Sequence, residues 1–581
     1  MGRFAVWAPA TTTVDVDSRG GRHRLSRASR GWHEGTDPSA RPGDDYAFSL
    51  DGGLPLPDPR SQRQPRGVHG PSQLVDHAAF AWTDGEWRGR RLRDCVLYEM
   101  HCGTFSEAGT FDGAVDHIPD LVDLGVDAVE VMPVAAFPGA RGWGYDGVDL
   151  FAVHEAYGGP DGLKRFVDAC HASGIAVVMD VVYNHLGPDG NVLGAYGPYF
   201  TATHRTPWGD AVNYDSAGSD EVRRFVVDNA LMWLRDYHCD GLRIDAVHAI
   251  VDTSAVHVVE EIADSVHRLA VELGRELWVI AESDLNDPRV VRDPGHGGYG
   301  CDAQWSDDFH HALHSALTGE RDGYYTGFGR VSDVAAALRQ VFVNPGGYSA
   351  FRDRRHGRSV GRLTADHFLG YLQNHDQVGN RARGERSAAL MSTGKLRIGA
   401  ALVLLGPFVP MLFAGEEWAA STPFQYFTDH QRPDLADAVS EGRRREFAAF
   451  GWEPLDVPDP QDPATFARSR LRWDERRAEP HRSVLDWHRC LTALRRDTLA
   501  RRDGDLSSLS VEADDADETL VMTYAGLTVA CNWGQRALDL VVPAGMVVAM
   551  ADGAELDGTV VHMQTDSVAV LRAPGVTYRA S

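Results

Sequence analysis

Between residues 95 and 413 the chain alternates short apolar runs with longer amphipathic stretches. The apolar runs are Cys95–Met100, Ala128–Pro133, Ile175–Val182, Gly241–Asp245, Leu277–Ala281, Cys301–Trp305, Phe368–Gln373 and Phe408–Phe413, and each predicts a strand. Helical spacing marks Phe111–Leu124, Gly162–Ala172, Asp220–Tyr237, Ser254–Leu273, Phe309–Leu317, Val331–Val341 and Ser387–Leu405. Eight strands with helices between them predict an α/β fold, a closed (β/α)8 TIM barrel, with an open doubly wound sheet as the alternative. No GxGxxG run follows an early strand, which weakens a dinucleotide-binding sheet.

The flanks follow another pattern. Residues 1–90 hold short β-type runs, such as Phe4–Pro9 and Tyr46–Leu50, among Gly, Pro and Asp turn signals. They predict an N-terminal β-sandwich with a Pro-rich connector. Its Trp7, Trp32, Trp82 and Trp87 suit either a sandwich core or a sugar platform. The catalytic barrel is placed at 91–500, closed by a helix at Val484–Arg496. Two stretches interrupt its alternation, 186–219 and 418–479, and loops of that length tend to be functional. From 505 to 581 short β runs return at Thr519–Tyr524, Thr528–Asn532 and Ser567–Leu571, predicting a C-terminal β-sandwich.

Composition narrows the function. With 43% apolar residues among 581, the chain can bury a large core. Its 57 basic and 83 acidic residues leave a formal charge of −26, which disfavours nucleic acid and anionic membrane as partners and leaves neutral substrates open. Only Lys164 and Lys395 are lysines, a compositional bias more than a chemical signal. Seven cysteines lie far apart without a CxxC pair, so free buried thiols in a reducing, cytoplasmic compartment are expected. The opening MGRFAVWAPATTTVDV reads as a first strand and not as a signal peptide. The longest apolar stretch, near Ala400–Ala414, is broken by Gly406, Pro407 and Pro410 and is too short to span a bilayer.

Polar chemistry gathers where the strands end. The third closes on Asp180-Val-Val-Tyr183-Asn184-His185, the fourth on Arg243-Ile-Asp245-Ala-Val-His248, the fifth on Ala281-Glu282-Ser-Asp284, the seventh on Asn374-His375-Asp376-Gln377. In a barrel these positions face the active end. Asp245, Glu282 and Asp376 stand out, because glycoside hydrolysis needs an acid for the leaving oxygen and a carboxylate for the developing positive charge. Arg243 shares a strand face with Asp245 and would keep it ionised. Glu282 needs burial or like charges to raise its pKa, and Asp376 can clamp sugar hydroxyls. His185, His248 and His375 suit hydrogen bonds to a neutral polyol. Trp143, Tyr145 and Tyr426 offer faces for sugar rings, as do Tyr183, Trp305 and Phe309. Asp307, Asp308, His310 and His311 form a dense polar cluster, for which a helix N-cap with surface charge is the competing reading. No compact HxxxH or HxH set supports a metal site.

These ordered motifs resemble the α-amylase family of glycoside hydrolases (family 13). Asp180–His185, Gly241–His248, Trp278–Asp284 and Phe368–Asp376 resemble its first to fourth motifs. The resemblance implies retaining chemistry at α-glucosidic bonds, with Asp245 as nucleophile, Glu282 as acid/base and Asp376 as transition-state stabiliser. It also implies Trp143, Tyr145, Asn184, His185, Arg243, His248, Asp307, Asp308, Phe309, His310, His311, Asn374, His375, Gln377, Glu417 and Tyr426 as substrate-binding residues. Asn184 matches a calcium ligand of many amylases, but the excursion after the third strand is short, and no required metal or cofactor is expected. The runs Gln64–Ser72, Ala281–Pro288, Gln304–His311, Phe413–His430 and Val457–Pro463 are similar to those of members that release trehalose from malto-oligosyltrehalose. That likeness implies an early-set or carbohydrate-binding-like N-terminal module, trehalose-end recognition by the 303–311 and 416–430 segments, and functional coupling to malto-oligosyltrehalose synthase. A glycogen branching enzyme, a neopullulanase-like hydrolase and a non-catalytic glucan-binding protein remain the alternatives. Loss of one of the three carboxylates would mark the last, and all three are present.

Overall fold

The computed structural model of the chain describes residues 2–206, 209–448 and 457–573. Residues 207–208 of the 186–219 stretch, 449–456 of the 418–479 stretch and 574–581 at the C-terminus lie outside the described residues. The eight apolar runs form eight parallel strands: β1 (Leu97–Met100), β2 (Ala128–Val131), β3 (Ala176–Val181), β4 (Gly241–Ile244), β5 (Trp278–Ala281), β6 (Ala303–Trp305), β7 (Phe368–Gly370) and β8 (Val409–Phe413). Each pairs with the next and β8 returns to β1, so the sheet is a closed barrel and not an open one.

Two-residue periodicity along these strands sets up the site. Leu97, Ala128, Val178, Ile280, Ala303, Leu369 and Met411 belong to one buried cluster that fills the barrel. Two residues further along, the same strand faces carry Glu99, Glu130, Asp180, Glu282, Trp305 and Tyr371. On β4 the corresponding pair is Gly241 and Arg243. The interior thus turns from apolar to polar and aromatic at one level.

Helix ends differ from the sequence expectations for local reasons. The stretch Phe111–Leu124 is two helices, Phe111–Val115 and Ile118–Leu124, and Pro119 occupies the first turn of the second. Ser387–Leu405 likewise splits into Ser387–Leu390 and Thr393–Leu405, because the Ser392 side chain accepts from Lys395 N and starts a new helix. The 418–479 stretch contains helices at Pro433–Ala448 and Pro463–Arg468, and the 186–219 stretch a hairpin of Phe200–Thr206 with Gly209–Val212. A small hairpin, Tyr348–Ser349 with Arg354–Arg355, precedes β7.

The N-terminal part forms a three-stranded and a five-stranded sheet. At the C-terminus six strands join one antiparallel sheet centred on Val560–Arg572. One face of that long strand supplies Val568 and Val570 to the main core; the other supplies Ala569 and Leu571 to a second core with Val542 and Val561.

A buried network clamps the N-terminal end of the barrel. Asp240, just before β4, accepts from Trp87 Nε1 (2.7 Å), Val177 N (2.8 Å) and Arg275 Nη2 (3.0 Å) and pairs with His171 Nε2 (2.9 Å). The other ring nitrogen of His171 meets Asp84 at 2.8 Å. Burial opposes a charge on His171, but the two aspartates outweigh it and raise its pKa. That contribution to stability is complete below the unfolded histidine value and is lost as pH rises through the raised folded value. Asp240→Ala leaves Arg275 and His171 without their shared carboxylate. It should lower the unfolding free energy by about 3–5 kcal/mol, read from the denaturant midpoint, and an unchanged midpoint would refute this role.

Candidate active site

Arg243 is the centre of the upper interior. Its Nη1 donates to both oxygens of Asp180 on β3 (2.9 Å each) and to Asp245 Oδ1 (2.9 Å). Its Nη2 donates to Glu282 Oε2 (3.0 Å), just past β5. The guanidinium is 0% exposed and lies 4.2 Å from the Trp305 ring centroid, a cation–π contact. One cation is therefore shared by carboxyl groups from three consecutive strands.

The carboxyl groups respond differently. Burial alone would raise Asp245, but Arg243, then His185 and Asn184, outweigh it and hold the carboxyl below the usual range. Asn184 Nδ2 donates to Asp245 Oδ2 (2.6 Å), so each carboxylate oxygen has its own donor. Burial pushes Glu282 well above the usual range; Arg243 opposes this, while Asp245, Asp376 and Asp307 add to it. Glu282 Oε2 accepts from both Arg243 and Ala246 N (2.7 Å), which leaves Oε1 to carry the proton. Ala246 takes a left-handed backbone (φ 40°) to aim that N–H, an uncommon conformation for a residue with a Cβ. Burial lifts Asp180 to about 6 against the pull of Arg243.

Asp376 comes from the helix His375–Gly379 that follows β7. Asn374 caps that helix, its side chain accepting from Asp376 N (2.9 Å) and Gln377 N (3.2 Å). Tyr145 stacks on His375 (5.2 Å), and its hydroxyl lies 2.7 Å from Asp180 Oδ2 and 2.8 Å from His375 Nε2. His185 meets the Asn184 side chain through Nδ1 and Tyr145 O through Nε2 (3.0 Å), and burial lowers its pKa. Trp143 lies edge-on to His375 (5.5 Å) and to the half-buried Tyr426 (5.2 Å). The rim continues through Asp307, whose carboxylate accepts from Tyr371 OH (2.5 Å) and which burial lifts to about 7. Arg352 donates to Asp284 (3.1 Å), and His248 lies 3.8 Å from the same carboxylate. His311 packs against Tyr324, and burial with Arg352 pushes it down to about 3.

Other expected sugar contacts stand behind the cleft as scaffold. Asp308 accepts from Asn286 Nδ2, Val343 N and Asn344 N. His310 is bonded to Leu372 O (2.7 Å) and Tyr325 OH (3.0 Å), and Phe309 packs on Phe408. Glu417 accepts from Tyr98 OH (2.9 Å) and Gly415 N (3.0 Å) beneath β8. All four are buried and bonded or packed within the protein. Sequence reasoning passed over Glu99 and Tyr371. The signal for Glu99 was available: a glutamate in the middle of Leu-Tyr-Glu-Met is costly to bury without a use.

Among the described residues no group of three or more His, Cys, Asp or Glu side chains is placed to hold a metal ion.

Comparison with known proteins identifies the family. Residues 79–193 match the alpha-amylase family model, described as alpha amylase, catalytic domain. The chain is 50% identical over 567 residues to a malto-oligosyltrehalose trehalohydrolase of Arthrobacter ramosus, covering 96% of this chain and 98% of that one. It is 48% identical over 580 residues to the protein of that name from Mycobacterium tuberculosis, covering 99% of both. A crystal structure from Salmonella typhimurium, described as an alpha amylase, superposes with a TM-score of 0.90 at 38% identity over 98% of this chain and 97% of that one. The chain belongs to the malto-oligosyltrehalose trehalohydrolase family, a group of glycosidases with the α-amylase barrel.

Proposed function

We propose that the protein hydrolyses the α-1,4-glucosidic bond next to the terminal trehalose unit of malto-oligosyltrehalose, releasing trehalose and a malto-oligosaccharide. The observation that carries this reading is the shared Arg243, which binds one carboxyl group that burial and neighbours leave ionised, Asp245, and one left protonated, Glu282. A retaining mechanism needs that pair of opposite states. Glu282 Oε1–H protonates the glycosidic oxygen while the Asp245 carboxylate attacks the anomeric carbon. Trehalose leaves with the proton, and a glycosyl ester remains on Asp245. Glu282, now a carboxylate, takes a proton from water, whose oxygen attacks the same carbon and frees the glucan and Asp245. Asp376 grips sugar hydroxyls across the cleft, and Trp143, Tyr145 and Tyr426 supply ring faces. Such a substrate has to be made by an enzyme that converts the end of a malto-oligosaccharide to trehalose. Functional coupling to malto-oligosyltrehalose synthase in the cytoplasm belongs to this proposal. No helix among the described residues is long and apolar enough to cross a membrane.

Maltopentaosyl-trehalose tests the reading. Free trehalose should be the main early product, and the glucan released should carry the α-configuration at its new end by NMR. Branched glucan would point to a branching enzyme instead, and a β-anomer would exclude the double displacement. Asp245→Asn should lower kcat by about 10³-fold or more with oligosaccharide binding still measurable; retained turnover would remove Asp245 from the mechanism. Arg243→Met takes the cation from beside Asp245, so the Asp245 pKa rises. The acid limb of kcat/KM should therefore move up by about 1–3 pH units, and an unmoved limb would show that Arg243 does not set it.

A further inference from the structure

We infer that Glu99 is a positioning residue of this reaction: its carboxylate grips both the backbone N–H and the ring Nδ1 of His375, holding that imidazole as a cation that donates from Nε2 to Tyr145 and stands beside Asp376. The inference rests on the assignment of Asp376 above and adds the group that places a cation 3.4 Å from it. Glu99, on β1, is 1% exposed. Its Oε2 accepts from His375 N (2.8 Å) and its Oε1 meets Nδ1 (2.5 Å), so both oxygens are spent on one residue of β7's successor helix. A carboxylate at Nδ1 is an acceptor, and that nitrogen carries a proton.

The second ring nitrogen is fixed by counting protons. Nε2 lies 2.8 Å from Tyr145 Oη and 3.4 Å from Asp376 Oδ1. Tyr145 has a single O–H proton, and Asp180 Oδ2 takes it at 2.7 Å. Tyr145 Oη must then accept from His375, which places a proton on Nε2 as well. The groups around the ring agree. Burial works against the charge, but Asp376 and Glu99 outweigh it and Arg243 opposes them only in part, lifting His375 to about 9. His101 also bears on it, and burial pushes His101 down to about 4, so it adds no positive charge at neutral pH. Asp180 and Glu130 complete the surroundings.

Glu130 is the built-in comparison. It sits beside Glu99 on β2, in register with it, and is equally buried. Neither of its oxygens has a hydrogen-bond partner among the described residues, and burial with Glu99 pushes its pKa well up. Of two adjacent buried glutamates, one is given two donors by His375 and the other none, and burial pushes the second up.

Glu99→Gln can accept at only one of the two His375 donors, so His375 loses its proton at lower pH. The basic limb of kcat/KM on maltopentaosyl-trehalose should move down by about one pH unit or more, and kcat at neutral pH should fall about tenfold or more with a smaller change in KM. Glu130→Gln should keep the wild-type profile. Because Glu99 acts through His375, Glu99→Gln should add no further loss of kcat in a His375→Asn background. A Glu99→Gln profile that superposes on the wild type, or a loss that adds in full to that of His375→Asn, overturns the inference. If Glu99→Gln does not fold, the wild-type protein decides: the His375 ring, identified by its absence from the ¹⁵N-histidine spectrum of His375→Asn, should stay doubly protonated through pH 8. A neutral ring at pH 7 overturns the inference. Wild-type protein that yields no trehalose would instead refute the functional reading itself.

Discussion

A guanidinium buried at 0% exposure has to be surrounded by anions or it destabilises the fold by several kcal/mol. Arg243 answers that demand with Asp180, Asp245 and Glu282, and the answer fixes most of what the site can do. One positive charge cannot hold three buried carboxyl groups ionised. The proton affinities therefore separate according to local donors. Asp245, with a donor on each oxygen, keeps its charge; Asp180 titrates at about 6; Glu282, with both donors on one oxygen, keeps its proton. The acid and the nucleophile are distinguished by this competition, and not by any difference between aspartate and glutamate.

The barrel makes that competition geometrically possible. Asp180 and Arg243 are cross-strand partners of β3 and β4, and Arg243 faces Ile280 of β5, two residues before Glu282. The parallel register sets Asp180 level with Arg243, and Asp245 and Glu282 each follow two residues further along, without any loop having to be ordered first. Loops supply the outer layer. Tyr145 and Trp143 come from the connection after β2, Asn184 and His185 from the end of β3, and Tyr426 from the segment after β8. At the opposite end, Asp240 ties the connector residue Trp87 to helix and strand termini, so the N-terminal segment is bolted to the barrel far from the chemistry.

Strand positions and the four motif ends were legible in the chain because apolar runs of strand length and charged residues at their ends are both local signals. The partition of the 303–311 segment was not. Asp307 is partly exposed at the rim, whereas Asp308, Phe309, His310 and His311 are buried, and only the rotation of helix Asp307–Thr318 against β7 decides which is which. Glu99 was hidden for the opposite reason. Its partner His375 is 276 residues away, and no spacing along the chain encodes a contact across a closed barrel. Helix breaks at Pro119 and Ser392 could have been read from proline and cap chemistry, but the apolar spacing ran through both and masked them.

The formal charge of −26 takes on a more specific meaning beside this site. Asp245, Glu282, Asp376, Asp307 and Asp284 crowd one cleft, and only some of them find a cation. Arg243 serves Asp245 and Glu282, His375 lies beside Asp376, and Arg352 meets Asp284. An anionic substrate would add repulsion to carboxyl groups that already compete for protons, whereas a neutral glucan brings hydroxyl donors that the carboxylates lack. The same donors strengthen Asp245 as an anion when the sugar is bound and water is displaced. The positive charge that develops on the sugar during bond cleavage then meets carboxylates already desolvated and held in place, which is the electrostatic condition for stabilising that transition state more than the resting substrate.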